Sequence, residues 1–211
     1  MDKEKIRENI ENIKKEVGNN ATLVAVTKTV DVDTVKFLKE LGLNDFGENR
    51  IEVAEEKIKK IEANWHMIGH LQSNKVKKAV KLFHVIQSVD SVSLAEEIDK
   101  EARKQNKIMK IFVQVNIANE SQKFGFEEKD VKDAIQIISK LDNVKIEGFM
   151  MIAPHIEAER TRVYFKDMRK LYNRYKKEYE LTRLSMGMSN DYKVAISEGS
   201  NMVRIGTKLY E

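Results

Sequence analysis

The stretch 22-TLVAVTKTV-30 is an apolar run suited to a buried strand, and it ends on a lysine between two threonines. Residues 23–27 lack the three-to-four-residue stripe of an amphipathic helix. Lys28 therefore stands at the C-terminal end of a strand. Such a lysine is either a charge whose stem snorkels to water or an amine placed for chemistry.

The rest of the chain repeats this unit. Residues 2–17 form an amphipathic opening helix with Ile6, Ile10 and Ile13 on one stripe, and a helical pattern runs from Asp33 to Leu41. Further strand candidates are 44-NDFG-47, 65-WHMIG-69, 83-FHVIQSV-89, 109-MKIFVQVN-116, 144-VKIEGFMMI-152, 182-TRLSMGMS-189 and 202-MVRIGT-207. Between them lie helix patterns over 49–63, 73–82, 91–105 (with Ser91 as N-cap), 127–141, 156–180 and 190–199. Strands alternating with helices imply parallel pairing through right-handed crossovers. About eight such units close into a (β/α)₈ TIM barrel, and 211 residues sit at the low end for that fold. The alternative is an open doubly wound sheet, but no G-x-G-x-x-G follows the first strand. With one proline, Pro154, and no Gly/Ser-rich linker, residues 1–211 are expected to form a single domain, with 1–18 as a helix preceding strand one.

Composition narrows the function classes. No cysteine is present, which excludes disulfides, a thiolate nucleophile and Cys-based zinc sites. The opening MDKEKIRENIENIKKEVG is charged from its second residue and lacks the apolar core of a signal peptide, and no run is long enough to span a bilayer. A cytoplasmic protein with no membrane partner is expected. Lys and Arg total 38 against 34 acidic residues, a formal charge of +4. The densest basic patch, 75-KVKKAVK-81, lacks interleaved aromatics and reads as a solvated helix face, so no nucleic-acid partner is expected. The outward helix faces are charged and no apolar patch stands out, and a monomer is expected.

In the barrel, functional groups collect at the C-terminal ends of strands, and phosphates bind in the loops after strands seven and eight. Lys28 at the mouth would be partly desolvated, which lowers a lysine pKa and frees the amine. Gly187 in 185-SMGMSND-191 lets backbone approach a ligand, and Ser189 is suited to cap the following helix. Gly206 and Thr207 in 204-RIGTK-208 offer backbone donors and a hydroxyl. Arg204, inside an apolar strand, must face the mouth and an acceptor or form a structural ion pair. Glu48 and Asn49 lie at the same rim, where Asn49 also suits a helix cap. His66 and His70 are four apart but flank a strand, with no carboxylate nearby in sequence, so a metal is not expected. His66 is expected to be satisfied in the barrel wall, while His70 and Asn74 line the mouth. Phe83, Phe112 and Phe149 are read as core. A lysine on strand one, phosphate turns after strands seven and eight and an arginine on strand eight suggest pyridoxal 5′-phosphate.

Seven segments, 24-VAVTKT-29, 46-FGENR-50, 65-WHMIGHLQSNK-75, 113-VQVN-116, 123-KFGF-126, 185-SMGMSNDYKVAI-196 and 199-GSNMVRIGT-207, resemble those of the pyridoxal phosphate homeostasis proteins, the YggS/PROSC family. Met67 and Asn201 depart from that pattern, standing where an aromatic and a threonine are usual. The resemblance implies a barrel like the N-terminal domain of alanine racemase, fold-type III among pyridoxal phosphate proteins. It implies a cofactor held as a reversible internal aldimine on Lys28. Ser189, Gly206 and Thr207, with the backbone of Gly187 and Met188, would hold its phosphate. Ser185 heads the same motif and counts among the contacts, Arg204 would face the pyridine nitrogen, and Asn49 would lie near the ring. It also implies a role in maintaining free cofactor with no established reaction. An arginine does not readily give up a proton, so the ring would be a poor electron sink. Racemases of this fold draw a second acid–base from a further β-domain that these residues do not include.

The leading expectation is thus a protein that holds pyridoxal phosphate and releases it to acceptor apo-enzymes, with Lys123 as an accessory amine or simply a solvated loop charge. The competing reading is an amino-acid enzyme with His70 or Tyr192 as acid–base. A third is a barrel enzyme acting on a sugar phosphate through a Schiff base on Lys28.

Overall fold

The computed structural model describes residues 2–211. Eight strands close in chain order into one parallel barrel: β1 (Thr22–Val26), β2 (Asp45–Glu48), β3 (Asn64–Met67), β4 (Val85–Val89), β5 (Met109–Gln114), β6 (Val144–Met150), β7 (Arg183–Ser185) and β8 (Met202–Ile205). The TIM barrel foreseen from the alternation is therefore the fold, and the open doubly wound sheet is not. Closure comes from β8 pairing with β1 in a register from Thr22↔Met202 to Ala25↔Ile205.

Around the barrel lie α1 (Lys3–Val17), α2 (Val32–Glu40), α3 (Ile51–Lys60), α4 (Val76–Leu82), α5 (Val92–Lys104), α6 (Val131–Ile138), α7 (Arg162–Lys176), α8 (Tyr192–Ser197) and α9 (Thr207–Tyr210). Their starts follow local chemistry. The side chains of Asp2, Asp31 and Ser91 accept N–H groups of the first turns of α1, α2 and α5. Each long helix buries one stripe, such as Ile6, Ile10, Ile13 and Val17 on α1, against the outside of the sheet. The barrel interior holds a separate apolar cluster of Val24, Val85, Phe112, Met150 and Met202. Phe83, Phe112 and Phe149 are all buried, as read.

Three features differ from the sequence reading. The segments 73–82, 127–141 and 156–180 each open on a 3₁₀ turn, Ser73–Lys75, Glu128–Asp130 and Ala158–Thr161, before α4, α6 and α7, rather than forming one helix. The Thr161 hydroxyl donates to Ala158 O at 2.6 Å and Glu157 accepts from Glu159 N at 3.0 Å, which holds the tighter turn. After β8 the chain makes one more helical turn, α9, which no apolar period announced. Finally, Glu48 is the last residue of β2 and is fully buried, not a rim group.

Glu48 has a partner that the sequence did not reveal. Lys57 of α3 is 3% exposed and donates to Glu48 Oε1 at 2.7 Å and to Thr27 O at 2.6 Å. The Thr27 hydroxyl donates to the same Oε1 at 2.6 Å. This knot ties β2 and α3 to the backbone just before Lys28. Removing one member of a buried pair strands the other charge, at about 3–5 kcal/mol. Lys57→Met is therefore expected to lower urea-unfolding stability by roughly that amount, and adding Glu48→Gln to the same chain is expected to recover part of the loss.

Candidate functional site

A cavity of about 570 Å³ opens at the C-terminal ends of the strands, within the range of small-molecule sites. Its walls come from the loops after β1, β5, β6, β7 and β8. Lys28, Lys123, Met188, Ser189, Arg204, Gly206 and Thr207 all line it. Residues from 28 to 207 are thus gathered at one mouth.

Lys28 lies in the turn after β1, closed by Val30 N donating to Thr27 O at 3.2 Å. Its side chain is exposed to the cavity, which corrects the expected desolvation. Lys123 is half-buried on the opposite loop and is held by Glu120 and by Ala153 O at 3.1 Å.

The loops after β7 and β8 are cross-linked. Ser189 Oγ accepts from Gly206 N at 3.3 Å and from Lys208 N at 3.4 Å. Ser189 therefore caps the turn that opens α9, not the helix that follows it in sequence. The backbone N–H groups of Ser189 and Asn190 have no acceptor among the described residues. The Met188 N–H is taken by Asp191 Oδ1 at 2.6 Å. Gly187 does not line the cavity. Its φ is +97°, and an added Cβ would lie 2.6 Å from Ala195 Cβ and 2.9 Å from Tyr192 Cα. The glycine lets α8 dock against the turn.

Arg204 is 3% exposed. Nη1 donates to Ser185 O at 3.0 Å and Ser185 Oγ at 2.6 Å, and Nη2 donates to Met151 O at 2.8 Å. A guanidinium carries about five N–H donors, so two remain for an acceptor in the cavity. Burial pulls its pKa down to about 10, opposed by the charge of Asp191, and it stays protonated at neutral pH. Ser185 is fully buried behind Arg204 and does not reach the cavity.

Other residues are placed away from the mouth. Asn49 is half-buried, does not line the cavity and does not cap α3, whose N-cap is Arg50. Its backbone instead lies so close to Gly69 that a Cβ there would be 2.4 Å from Asn49 O. His70 pairs with Asp90 at 2.9 Å and stacks on Phe124 with ring centroids 3.7 Å apart, and neither His70 nor exposed Asn74 lines the cavity. His66 is buried in the barrel wall between Asp45 at 3.1 Å and Gln87 at 3.0 Å. Each histidine thus has a carboxylate partner from another strand end, which sequence distance concealed. No group of three or more metal-ligating side chains occurs among the described residues. The Tyr192 hydroxyl turns to Glu16 on α1, away from the cavity, and burial raises its pKa. Tyr210 of α9 lines the cavity and donates to Val26 O at 2.9 Å. Asn201 bridges Thr182 O and Leu184 N, each at 2.7 Å, and locks β7 in place.

Comparison with known proteins meets this geometry. The family described as "Alanine racemase, N-terminal domain" matches residues 1–211. A pyridoxal phosphate homeostasis protein of Aquifex aeolicus is 39% identical over 198 residues, covering 91% of this chain and 87% of its own length. The chain belongs to the pyridoxal phosphate homeostasis protein family. A second member, from Synechocystis, is 36% identical over 195 residues, covering 89% of each chain. The solved structure of PipY from Synechococcus elongatus with PLP bound matches at a TM-score of 0.91 and 33% identity, over 98% of this chain and 100% of that one. Alanine racemase from Clostridium difficile matches at a TM-score of 0.82 over 98% of this chain and 56% of its own, at 17% identity, and shares the barrel fold.

Asp191, which the sequence reading passed over, lines the cavity at 7% exposure. Burial raises its pKa above the usual 3.8, offset by the Met188 N–H and Arg204. Its proton binds more tightly in the folded chain, so the stability it contributes is full below pH 3.8 and lost as pH rises through the raised value. Asp191→Asn keeps an oxygen for Met188 N and is expected to raise the urea midpoint of the ligand-free protein at pH 7. The gap should close below pH 3.8.

Proposed function

We propose that this chain binds pyridoxal 5′-phosphate reversibly and serves intracellular homeostasis of that cofactor. The observation that carries the reading is one cavity with an exposed lysine on the β1 side and a corner of backbone donors on the β7–β8 side. Arg204, with two uncommitted donors, lines the same space. Each part matches one chemical feature of the cofactor. A primary amine condenses reversibly with an aldehyde, N–H groups and hydroxyls at Ser189, Asn190 and Thr207 suit a phosphate beside Gly206, whose N–H holds the Ser189 hydroxyl in place, and guanidinium donors suit an unprotonated ring nitrogen. In this reading Met188 lies against the cofactor, while Ser185 and Gly187 support the site from behind and Asn49 shapes the loop beside it. The PLP-bound relative PipY supports the assignment.

Release to acceptor apo-enzymes follows from reversible condensation, since an incoming amine can take the aldehyde from Lys28. Lys123 faces the same cavity from the β5 loop. We place the protein in the cytoplasm as a monomer. Its lack of cysteine suits a reducing compartment, and among the described residues no helix is long and apolar enough to cross a membrane. The amino-acid enzyme reading loses the acid–bases named for it, because His70 and Tyr192 do not line the cavity.

The test is the absorption spectrum of purified protein with pyridoxal phosphate, before and after borohydride. Wild type should be yellow, lose its colour on reduction and carry the adduct on Lys28. Lys28→Ala should yield no adduct at this site. A wild type that stays colourless would refute cofactor binding. Exchange of an amino acid's α-proton into solvent, lost in Lys28→Ala, would instead make it an enzyme.

A further inference from the structure

A line of hydrogen-bonded side chains crosses the barrel interior from Arg204 to Asp45. Ser185 Oγ donates to Gln87 Oε1 at 2.7 Å, Gln87 Nε2 meets His66 Nδ1 at 3.0 Å, and His66 Nε2 meets Asp45 Oδ1 at 3.1 Å. The Ser185–Gln87 bond joins β7 to β4, strands that are not neighbours in the sheet, so it spans the lumen. Arg204, Ser185, Gln87 and His66 are each at most 3% exposed. Asp45 opens β2, at the opposite end of the barrel from the cavity, and its side chain is 25% exposed.

The direction of every bond follows from its first member. Arginine has no acceptor, so Ser185 Oγ accepts from Arg204 and its own proton goes to Gln87. The Gln87 oxygen therefore faces Ser185, and its amide nitrogen faces His66. Nδ1 of His66 must be a lone pair, which puts the ring proton on Nε2, pointing at Asp45. The second Gln87 N–H points at Met202 Sδ, 3.3 Å away. In a water-excluded interior such bonds reinforce one another, and a broken one leaves groups that find no replacement.

We propose that Gln87 and His66 are positioning residues for Arg204, holding its guanidinium so that one of its two uncommitted N–H groups meets the ring nitrogen of the bound cofactor. This rests on the proposed binding of pyridoxal phosphate. It adds that cofactor affinity is set in part by two side chains that never touch the cofactor. One of them reaches the far end of the barrel.

The experiment is a double-mutant cycle on pyridoxal phosphate affinity, with the absorption maximum of the bound cofactor as a second readout, since hydrogen bonding at the ring nitrogen tunes its electronics. Gln87→Met is nearly isosteric but can neither orient Ser185 nor donate to His66. It should weaken binding about tenfold, the scale of lost outer-shell partners, and shift the absorption maximum. In an Arg204→Gln background the same change should cost less than about twofold, because there is no guanidinium left to position. An equal loss in both backgrounds, or none in the wild-type background, overturns the proposal.

If Gln87→Met does not fold, the cycle is run from the other end. His66→Gln keeps an acceptor for Gln87 and should retain affinity within about twofold, whereas His66→Leu should lose about tenfold. Equal behaviour of those two variants also overturns it. An Arg204→Gln that binds like wild type removes the role on which the inference stands, while an adduct on Lys28 would leave cofactor binding itself intact.

Discussion

The backbone pairing that runs from Thr22↔Met202 to Ala25↔Ile205 does more than remove the two free edges of the sheet. It sets the C-terminal end of β8 beside that of β1. Lys28, three residues beyond Ala25, and Gly206, one beyond Ile205, then open onto the same space. An added Cβ on Gly206 would lie 3.3 Å from Val26 Cβ, which shows how tightly the two strand ends meet. Two ends of the chain nearly 180 residues apart thereby become one wall of a cavity. An open sheet with the strands in the same chain order would leave them at opposite edges.

Two buried polar arrangements lie around that wall. Behind Lys28 the charges of Glu48 and Lys57 are compensated within one knot. Beneath Arg204 the interior polar side chains form one hydrogen-bonded line, ordered by the donor-only chemistry of the guanidinium. The remaining lumen is filled by aliphatic, aromatic and thioether side chains. Burying isolated charge costs more than the fold can spare, so the buried charges of Glu48, Lys57 and Arg204 are each tied to partners that fix their direction. At the mouth, donors are left over on Arg204 and in the turn after β7.

The parallel barrel was legible because apolar runs and period-3.6 amphipathic patterns alternate cleanly, and eight repeats leave few topologies. Lys28, Ser189, Arg204, Gly206 and Thr207 were legible because they fall at strand ends where this architecture places its loops. Other features depend on partners distant in sequence. Lys57 looked like one of many exposed helix lysines in 51-IEVAEEKIKK-60, and Gln87 like an ordinary strand residue. Asp191 lay in the motif that was read, and the Asx-type pattern in 188-MSND-191 was the signal for it. Ser185 and Gly187 sat in the right motif, but their side-chain and backbone geometry serves the packing behind the site.

The sequence by itself determined the order of elements, the closure of the barrel and which strand ends carry an amine, a guanidinium and small donor-bearing turns. These follow from local periodicity and from the fixed direction of parallel strands. Only the tertiary structure decided which polar groups are spent on one another and which remain free for a ligand. That depends on how side chains from non-neighbouring strands meet across the lumen. Hydrogen bonds act over about 3 Å, a distance that nothing in the spacing of residues along the chain encodes.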